Sequence, residues 1–447
     1  MKKIRPTAAA GKFYTNHKSE LTAQLDYLFE NAQAECEYKS RAIIVPHAGY
    51  EYSGQLAAKG FEYLDTSVKN VFIIGPAHYV PVKNVVLSSS GTWDTPLGEI
   101  SVNQGINEEL VEKFGCEFED AAFADEHSLE VQLPFILKKF QNVKIIPILA
   151  SNDEKIKKII EHYWENPKNG FVISSDLSHF YPSAEAKKID NVSAEMIELK
   201  EVDEFNHQQA CGAVGILALT NFAKAKGFSL IRVGMTNSGD VTGDNSRVVG
   251  YGSWFLYEGE KNEFIKKYYS DFVIDVCKKS ILAGLNKEGV PKLEKPPEVF
   301  NELGACFVTL EKKGDLRGCI GSIIAHGPLI SDLVRNAQSS AFSDPRFHPL
   351  RKEEFEDLTI DVSLLSTPEK MKFKDEADLL EQIRPFVDGI IIKDGGYQSV
   401  YLPSVWEQLP EKKLFLDSLK IKAGMTPKHF SDTFEALRFS AEYIKSK

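Results

Sequence analysis

Five short runs of branched aliphatic residues, spaced by stretches of helical periodicity, set the main constraint on how this chain folds. Ala42–Val45, Val71–Gly75, Val143–Leu149, Phe171–Ser175 and Leu230–Val233 are rich in Ile and Val and poor in charge. Runs of that kind suit strands buried on both faces. Between them, Glu20–Ala32, Gly54–Leu64, Ser128–Phe140, Glu154–Trp164 and Gly212–Lys226 place apolar residues three and four apart, the spacing of one helix face. Strand and helix in alternation predict an α/β layer, a largely parallel sheet flanked by helices.

That rhythm stops near Tyr257–Asn262, a short polar stretch with a glycine, and the charge balance changes beyond it. Residues 1–260 hold 25 Lys and Arg against 35 Asp and Glu, whereas residues 261–447 hold 28 against 29. Two domains are expected, 1–260 and 261–447. The second reads as α+β: a helix from about Phe264 to Leu285, a Pro- and Lys-rich loop Lys287–Pro297, and strands near Ala305–Leu310, Thr359–Leu365 and Gly389–Lys393. A helix is expected at Leu329–Ala341 and further helices late in the chain. The acidic first half repels phosphate backbones, which argues against nucleic acid as its partner. Six cysteines without a Cys-x-x-Cys pair argue against a disulfide scaffold or zinc ribbon. No run of about 18 apolar residues suggests a membrane span, and the basic start lacks the apolar core of a signal peptide. A reducing cytoplasm is the expected location, with the thiols free for chemistry or packing.

The residues able to do chemistry gather just past the strands. Ala42–Val45 runs into Pro46-His47-Ala48-Gly49-Tyr50, Val71–Gly75 into Pro76-Ala77-His78, and Phe171–Ser175 into Asp176-Leu177-Ser178-His179. The carboxyl edge of an open α/β sheet is where ligand sites form. One histidine there reads as structural; three, with an aspartate, need protons, a metal or partners. Cys211 opens the expected helix at Gly212, where the helix dipole should favour thiolate. Two imidazoles and a thiol with open positions suit iron, copper or zinc better than magnesium. In Asp125-Glu126-His127-Ser128-Leu129-Glu130, either Asp125 or Ser128 caps the helix after it, or His127 reaches the same edge as an acid/base. Ser238–Asp244 reads as a surface turn or as a loop whose carboxylates support the imidazoles. Nucleotide-binding, zincin and serine-hydrolase motifs are absent from this half.

Arg5–Tyr14, Val45–Tyr50 with Tyr52-Ser53-Gly54, Gly75–His78, Asp125–Leu133, Ser175–His179, Cys211-Gly212 and Asn237–Asp244 together resemble the Memo family across nearly all of residues 1–256. That family is similar to the class III extradiol dioxygenases. The resemblance implies their α/β fold and a mononuclear iron or copper site with ligands on His47, His78 and Cys211. It also implies that Asp176, His179 and His127 line the pocket. The dioxygenases have a carboxylate as third ligand where this chain has Cys211, so ring cleavage does not carry across directly.

In the second half, Leu316-Arg317-Gly318-Cys319-Ile320-Gly321-Ser322 reads as a tight strand-turn with small residues about a cysteine. With Ala341–Phe347, Gly395-Gly396-Tyr397 and Leu402-Pro403, it resembles the AMMECR-type domain over roughly 265–445. Arg317 and Cys319 are the candidate site residues there, with a structural role as the alternative. Both halves together resemble a fusion of two components of the AmmeMemoRadiSam system. That resemblance implies a radical S-adenosylmethionine enzyme as a separate partner, since this chain lacks the Cys-x3-Cys-x2-Cys cluster motif. The functional expectation is a metal-dependent oxidoreductase acting on a small molecule; the alternative is a non-catalytic metal-binding adaptor for the radical enzyme.

Overall fold

The computed structural model describes residues 3–446 apart from Val290 and Lys292, both of which fall in the expected loop Lys287–Pro297. Contacts divide the chain into two compact units, Met1–Lys261 and Asn262–Lys447.

In the first unit five strands lie parallel, in the order Ile100–Val102, Lys144–Ala150, Asn70–Gly75, Asn169–Ser174 and Ala42–Val45. Ala42–Val45 and Asn169–Ser174 are buried at every position, because helices cover both faces. Ile44, Phe72, Ile74, Ile146, Ile148, Phe171 and Ile173 join Ile156, Ile159, Ile160, Ile216, Leu219 and Phe222 of the helices Asp153–Trp164 and Ala213–Lys226 in one core. The alternate residues face the other way, where the helix Tyr50–Tyr63 packs. Gly212 is what lets the helix Ala213–Lys226 fit: a Cβ there would stand 2.6 Å from Ser174 O and from Ser175 Cβ. Only glycine lets the chain pass so near the strand end.

The sheet departs from the sequence expectation on both sides of the parallel block: on one, Val85–Leu87 runs antiparallel to Lys144–Ala150 and Thr92–Trp93 antiparallel to Ile100–Val102. On the other, Ser229–Asn237, the expected strand Leu230–Val233, is antiparallel, and so is its partner Val248–Tyr257, which the apolar pattern did not reveal. Val248–Tyr257 is rich in aromatics and carries Gly250 and Gly252, so it lacks the Ile/Val signature of the parallel strands. The expected helix Ser128–Phe140 is a 3-10 turn, Glu130–Gln132, continued by a short helix, Leu133–Lys139. Neither Ser128 nor Asp125 caps that turn; the Ser128 hydroxyl donates to Pro76 O at 2.9 Å.

The second unit is α+β. The helix Leu329–Phe342 lies on an antiparallel sheet of Asp315–Gly321, Ala305–Lys312, Leu358–Leu365 and Ala441–Lys445. A second antiparallel sheet comprises Glu369–Lys370, Glu435–Phe439, Gly389–Asp394 and Tyr397–Tyr401. A long helix, Lys261–Leu285, kinks at Tyr269. Two expectations are corrected here. Arg317–Gly321 is strand rather than turn, and Gly318 allows Ser340 O to approach to 2.1 Å of where a Cβ would sit. The late segment holds one α-helix, Lys412–Lys422, and then two strands, where residues 437–442 alternate apolar and polar with a period of two. Among the described residues no helix is long and apolar enough to cross a membrane.

Gly212→Ala is expected to lower the unfolding free energy by about 1–3 kcal/mol through overpacking, read by denaturant unfolding of the full chain. An unchanged midpoint would show that the strand end yields.

Candidate functional site

The strands Asn70–Gly75, Asn169–Ser174 and Ala42–Val45 are immediate neighbours and point the same way. Residues just past their carboxyl ends therefore meet: His78, the Asp176–His179 segment and His47. The helix Ala213–Lys226 starts against the middle strand, tied by Gly212 N–H donating to Ser175 Oγ at 2.9 Å, and sets Cys211 beside them. One ligand atom from each of His47, His78 and Cys211 lies within 4.8 Å of the others.

Hydrogen bonds decide which ring nitrogens are available. Ser174 Oγ donates its one proton to Ser128 O at 2.6 Å and accepts from Gln132 Nε2 at 2.9 Å. His47 Nδ1, 2.9 Å from the same oxygen, must therefore be the donor, leaving Nε2 with a lone pair. That Nε2 lies 3.3 Å from Cys211 Sγ. Metal bonds of about 2.0 Å to nitrogen and 2.3 Å to sulfur, at a tetrahedral angle, separate the two donors by about 3.5 Å. The donor set and its spacing fit a transition metal ion.

His78 is set by Glu126. The carboxylate accepts His78 Nδ1–H at 2.9 Å and the His78 backbone N–H at 2.5 Å, so His78 also offers Nε2. Burial alone would raise the Glu126 pKa, but the His78 hydrogen bonds, joined by Ser128 N–H, hold it down at about 2. A carboxylate behind a ligating imidazole fixes its tautomer and raises its basicity. Sequence reasoning missed Glu126, hidden in a run that looked like a helix cap; it also missed Ser174 and Gln132, which carry no signal as isolated residues.

His127 joins the same edge. Its ring stacks on Phe13 at 4.2 Å and on His78 at 4.5 Å, with Nδ1 3.5 Å from Glu126 Oε1. Burial, then the positive field of His47, lowers its pKa to about 3; burial, then His78, does the same to His47. Asp176 accepts the His47 backbone N–H at 2.8 Å, and burial pushes its carboxyl up to about 6. His179 Nδ1 donates to Leu177 O at 2.7 Å, which leaves its Nε2 as an acceptor.

One expectation changes, and two others meet their structural alternative. Cys211 is not pushed toward thiolate by the helix: burial first, then Asp176, raises its pKa well above the usual thiol value. The carboxylates of Ser238–Asp244 serve other partners, Asp240 pairing with Lys187 and Asp244 accepting from Ser246; the segment is a short capped helix and turn. In the second unit Arg317 is committed to Glu354 by paired hydrogen bonds of 3.2 and 3.1 Å and to His348 O at 2.9 Å, which ties down its strand. Cys319 is half-buried, its sulfur accepting from Thr309 Oγ1 at 3.2 Å.

Residues 5–255 match the family model described as Memo-like protein, and residues 274–444 match the model described as AMMECR1. The chain belongs to the Memo family, with an AMMECR1 domain fused behind it. A MEMO1 family protein of Aquifex aeolicus is 33% identical over 262 residues, covering 56% of this chain and 97% of that protein. Protein MEMO1 of Xenopus laevis is 32% identical over 254 residues, covering 49% of this chain and 84% of that protein. Among solved structures, an uncharacterized protein, PH0010, of Pyrococcus horikoshii aligns with a TM-score of 0.37 at 28% identity, over 40% of this chain and 91% of that one.

The buried imidazoles of the Memo unit set a pH dependence. In the unfolded chain His47 and His127 take up protons near 6.5, but in the fold only near 3. The stability their neutral rings contribute is complete above pH 6.5 and lost as pH falls toward 3. Asp176, held at about 6 against 3.8, opposes this between those values, leaving a net loss of about 1 kcal/mol per pH unit. Chelator-treated protein is expected to unfold at progressively lower denaturant from pH 7 to pH 5, and His127→Gln should flatten the trend. A flat profile in the parent protein would contradict the neutral-ring assignment.

Proposed function

We propose that the Memo unit is a non-haem metal-dependent oxidoreductase for a small-molecule substrate, with mononuclear iron (or copper or zinc) held by His47, His78 and Cys211. The observation that carries this reading is the convergence of two imidazole nitrogens with lone pairs and one sulfur at coordinating distance. Such an ion, when bound, supplies Lewis-acid chemistry, and iron or copper would add redox chemistry.

The protein's own groups then have distinct tasks. Ser174 and Glu126 keep His47 and His78 in the tautomer that presents Nε2. Cys211 releases its proton as the ion binds, so affinity falls in acid. His179, with an acceptor Nε2 at the same edge, moves a proton to or from the substrate. Asp176 steadies His47 from behind and, titrating near 6, balances charge at the site. Phe13 and His127 wall one side and exclude water. The sulfur in place of a carboxylate favours a second reading, in which the unit holds metal as a non-catalytic adaptor. Under either reading the partner is a separate radical S-adenosylmethionine enzyme in the cytoplasm; the support is the joining of Memo and AMMECR1 domains in one chain.

Anaerobically purified protein is expected to carry near-stoichiometric iron by elemental analysis, with His47→Ala and Cys211→Ser losing it. His179→Gln should keep the metal and lose about 10²- to 10⁴-fold in oxygen uptake with aromatic diols. Metal content indifferent to all three ligands would end the proposal. Metal binding without turnover, together with a radical-enzyme activity that needs this chain, would select the adaptor.

A further inference from the structure

The metal reading uses Glu126 but leaves open how Glu126 is itself held still. The segment bearing Glu126 and His127 is irregular, lying between the short helix Asp120–Phe123 and the 3-10 turn Glu130–Gln132, so no ladder of regular hydrogen bonds fixes it. Ser128 anchors it on one side, through Pro76 O and Ser174 Oγ; on the other side the restraint comes from Arg5, 121 residues earlier in the chain than Glu126. Arg5 Nη2 donates to Glu126 O at 2.7 Å, Nε to Phe123 O at 2.8 Å, and Nη1 to Pro6 O at 3.2 Å and to the Glu130 carboxylate. The Trp93 ring covers the guanidinium at 4.2 Å. Glu130 in turn accepts from Ala8 N–H at 2.8 Å, Ala9 N–H at 2.9 Å, Ala10 N–H at 3.3 Å and Tyr14 O–H at 2.7 Å. The segment so gathered ends by laying Phe13 on His127.

We propose that Arg5, with Glu130, is a positioning residue of the metal site: it aims the Glu126 carboxylate at His78 by holding the Glu126 backbone. A purely cohesive role does not explain the arrangement. Arg5 and Glu130 are 4% and 0% exposed, and a buried ion pair gives little net stability over apolar residues of like size. Its distinctive contribution is direction. Only a planar guanidinium can serve two carbonyls on either side of the 124–125 bend and a carboxylate at once. A displacement of Glu126 would free His78 to turn and to take the other tautomer, with Nε2 protonated and unable to ligate.

The inference rests on the metal reading for its consequence but not for its geometry, and the test separates the two. The full chain is compared with Arg5→Met/Glu130→Leu, which removes both buried charges together, and with Arg5→Lys, which keeps a charge opposite Glu130 but cannot reach both carbonyls. Cobalt(II) is the probe. Both variants are expected to keep a cooperative unfolding transition well above the assay temperature, yet bind cobalt about 10- to 100-fold more weakly with an altered sulfur-to-cobalt absorption. In the metal-free proteins, an NMR signal from the His78 Nδ1 proton is expected in the parent and should be absent from the variants. A folded variant with parental cobalt affinity, spectrum and Nδ1 proton would overturn the proposal, and Arg5→Lys decides it if the double variant does not fold. If the parent binds no cobalt, the metal reading fails, while the Nδ1 proton still decides whether Arg5 aims Glu126.

Discussion

Everything at the site depends on three strands being neighbours in a parallel sheet. Asn70–Gly75, Asn169–Ser174 and Ala42–Val45 share one direction, so the chain leaves all three at the same edge. A single antiparallel strand among them would send one histidine to the far end of the sheet, out of reach of the others. Parallel order demands long crossovers, which is why the donors sit at positions 47, 78, 179 and 211. Gly212 then lets the helix that carries Cys211 press against the middle strand end.

Two carboxylates with similar burial show how the site divides its charge. Glu126 meets chiefly donors, the two N–H groups of His78 and the Ser128 N–H, and stays ionised into strong acid. Asp176 is buried, and the His47 and Ala48 backbone N–H groups do not offset that, so its carboxyl is held up at about 6. Burial likewise keeps the His47 and His127 rings neutral. The result is a cluster of acceptor atoms from His47, His78 and Cys211 within 4.8 Å of one another, the arrangement on which the metal proposal rests.

Much of this was legible in the residues. The Ile/Val runs marked four of the five parallel strands to within about two residues, because a strand covered on both faces cannot tolerate polar positions; the short Ile100–Val102, with Ser101 exposed, went unmarked. His47, His78, Asp176 and His179 stood out by their place directly after such runs. Val248–Tyr257 escaped, since its aromatics and glycines satisfy burial without the branched aliphatic pattern. Glu126 was passed over because the run around it was read for a cap at Asp125 or Ser128, whereas its partner His78 is 48 residues distant. The Cys211 thiol shows the same limit: a helix start argues for thiolate, but desolvation by the surrounding fold outweighs the dipole.

Composition and local pattern by themselves determined the two-unit organisation and the α/β character of the first unit, and marked His47, His78, His127 and Cys211, though not Glu126, among the residues that could hold a metal. Those depend on burial and periodicity, which act on neighbours along the chain. Tertiary structure alone decided which nitrogens carry protons, that Glu126 stands behind His78, that Arg5 restrains Glu126, and that Arg317 is bound up with Glu354. Each of these is a directional bond between segments far apart in sequence, and direction exists only once the backbone has been placed.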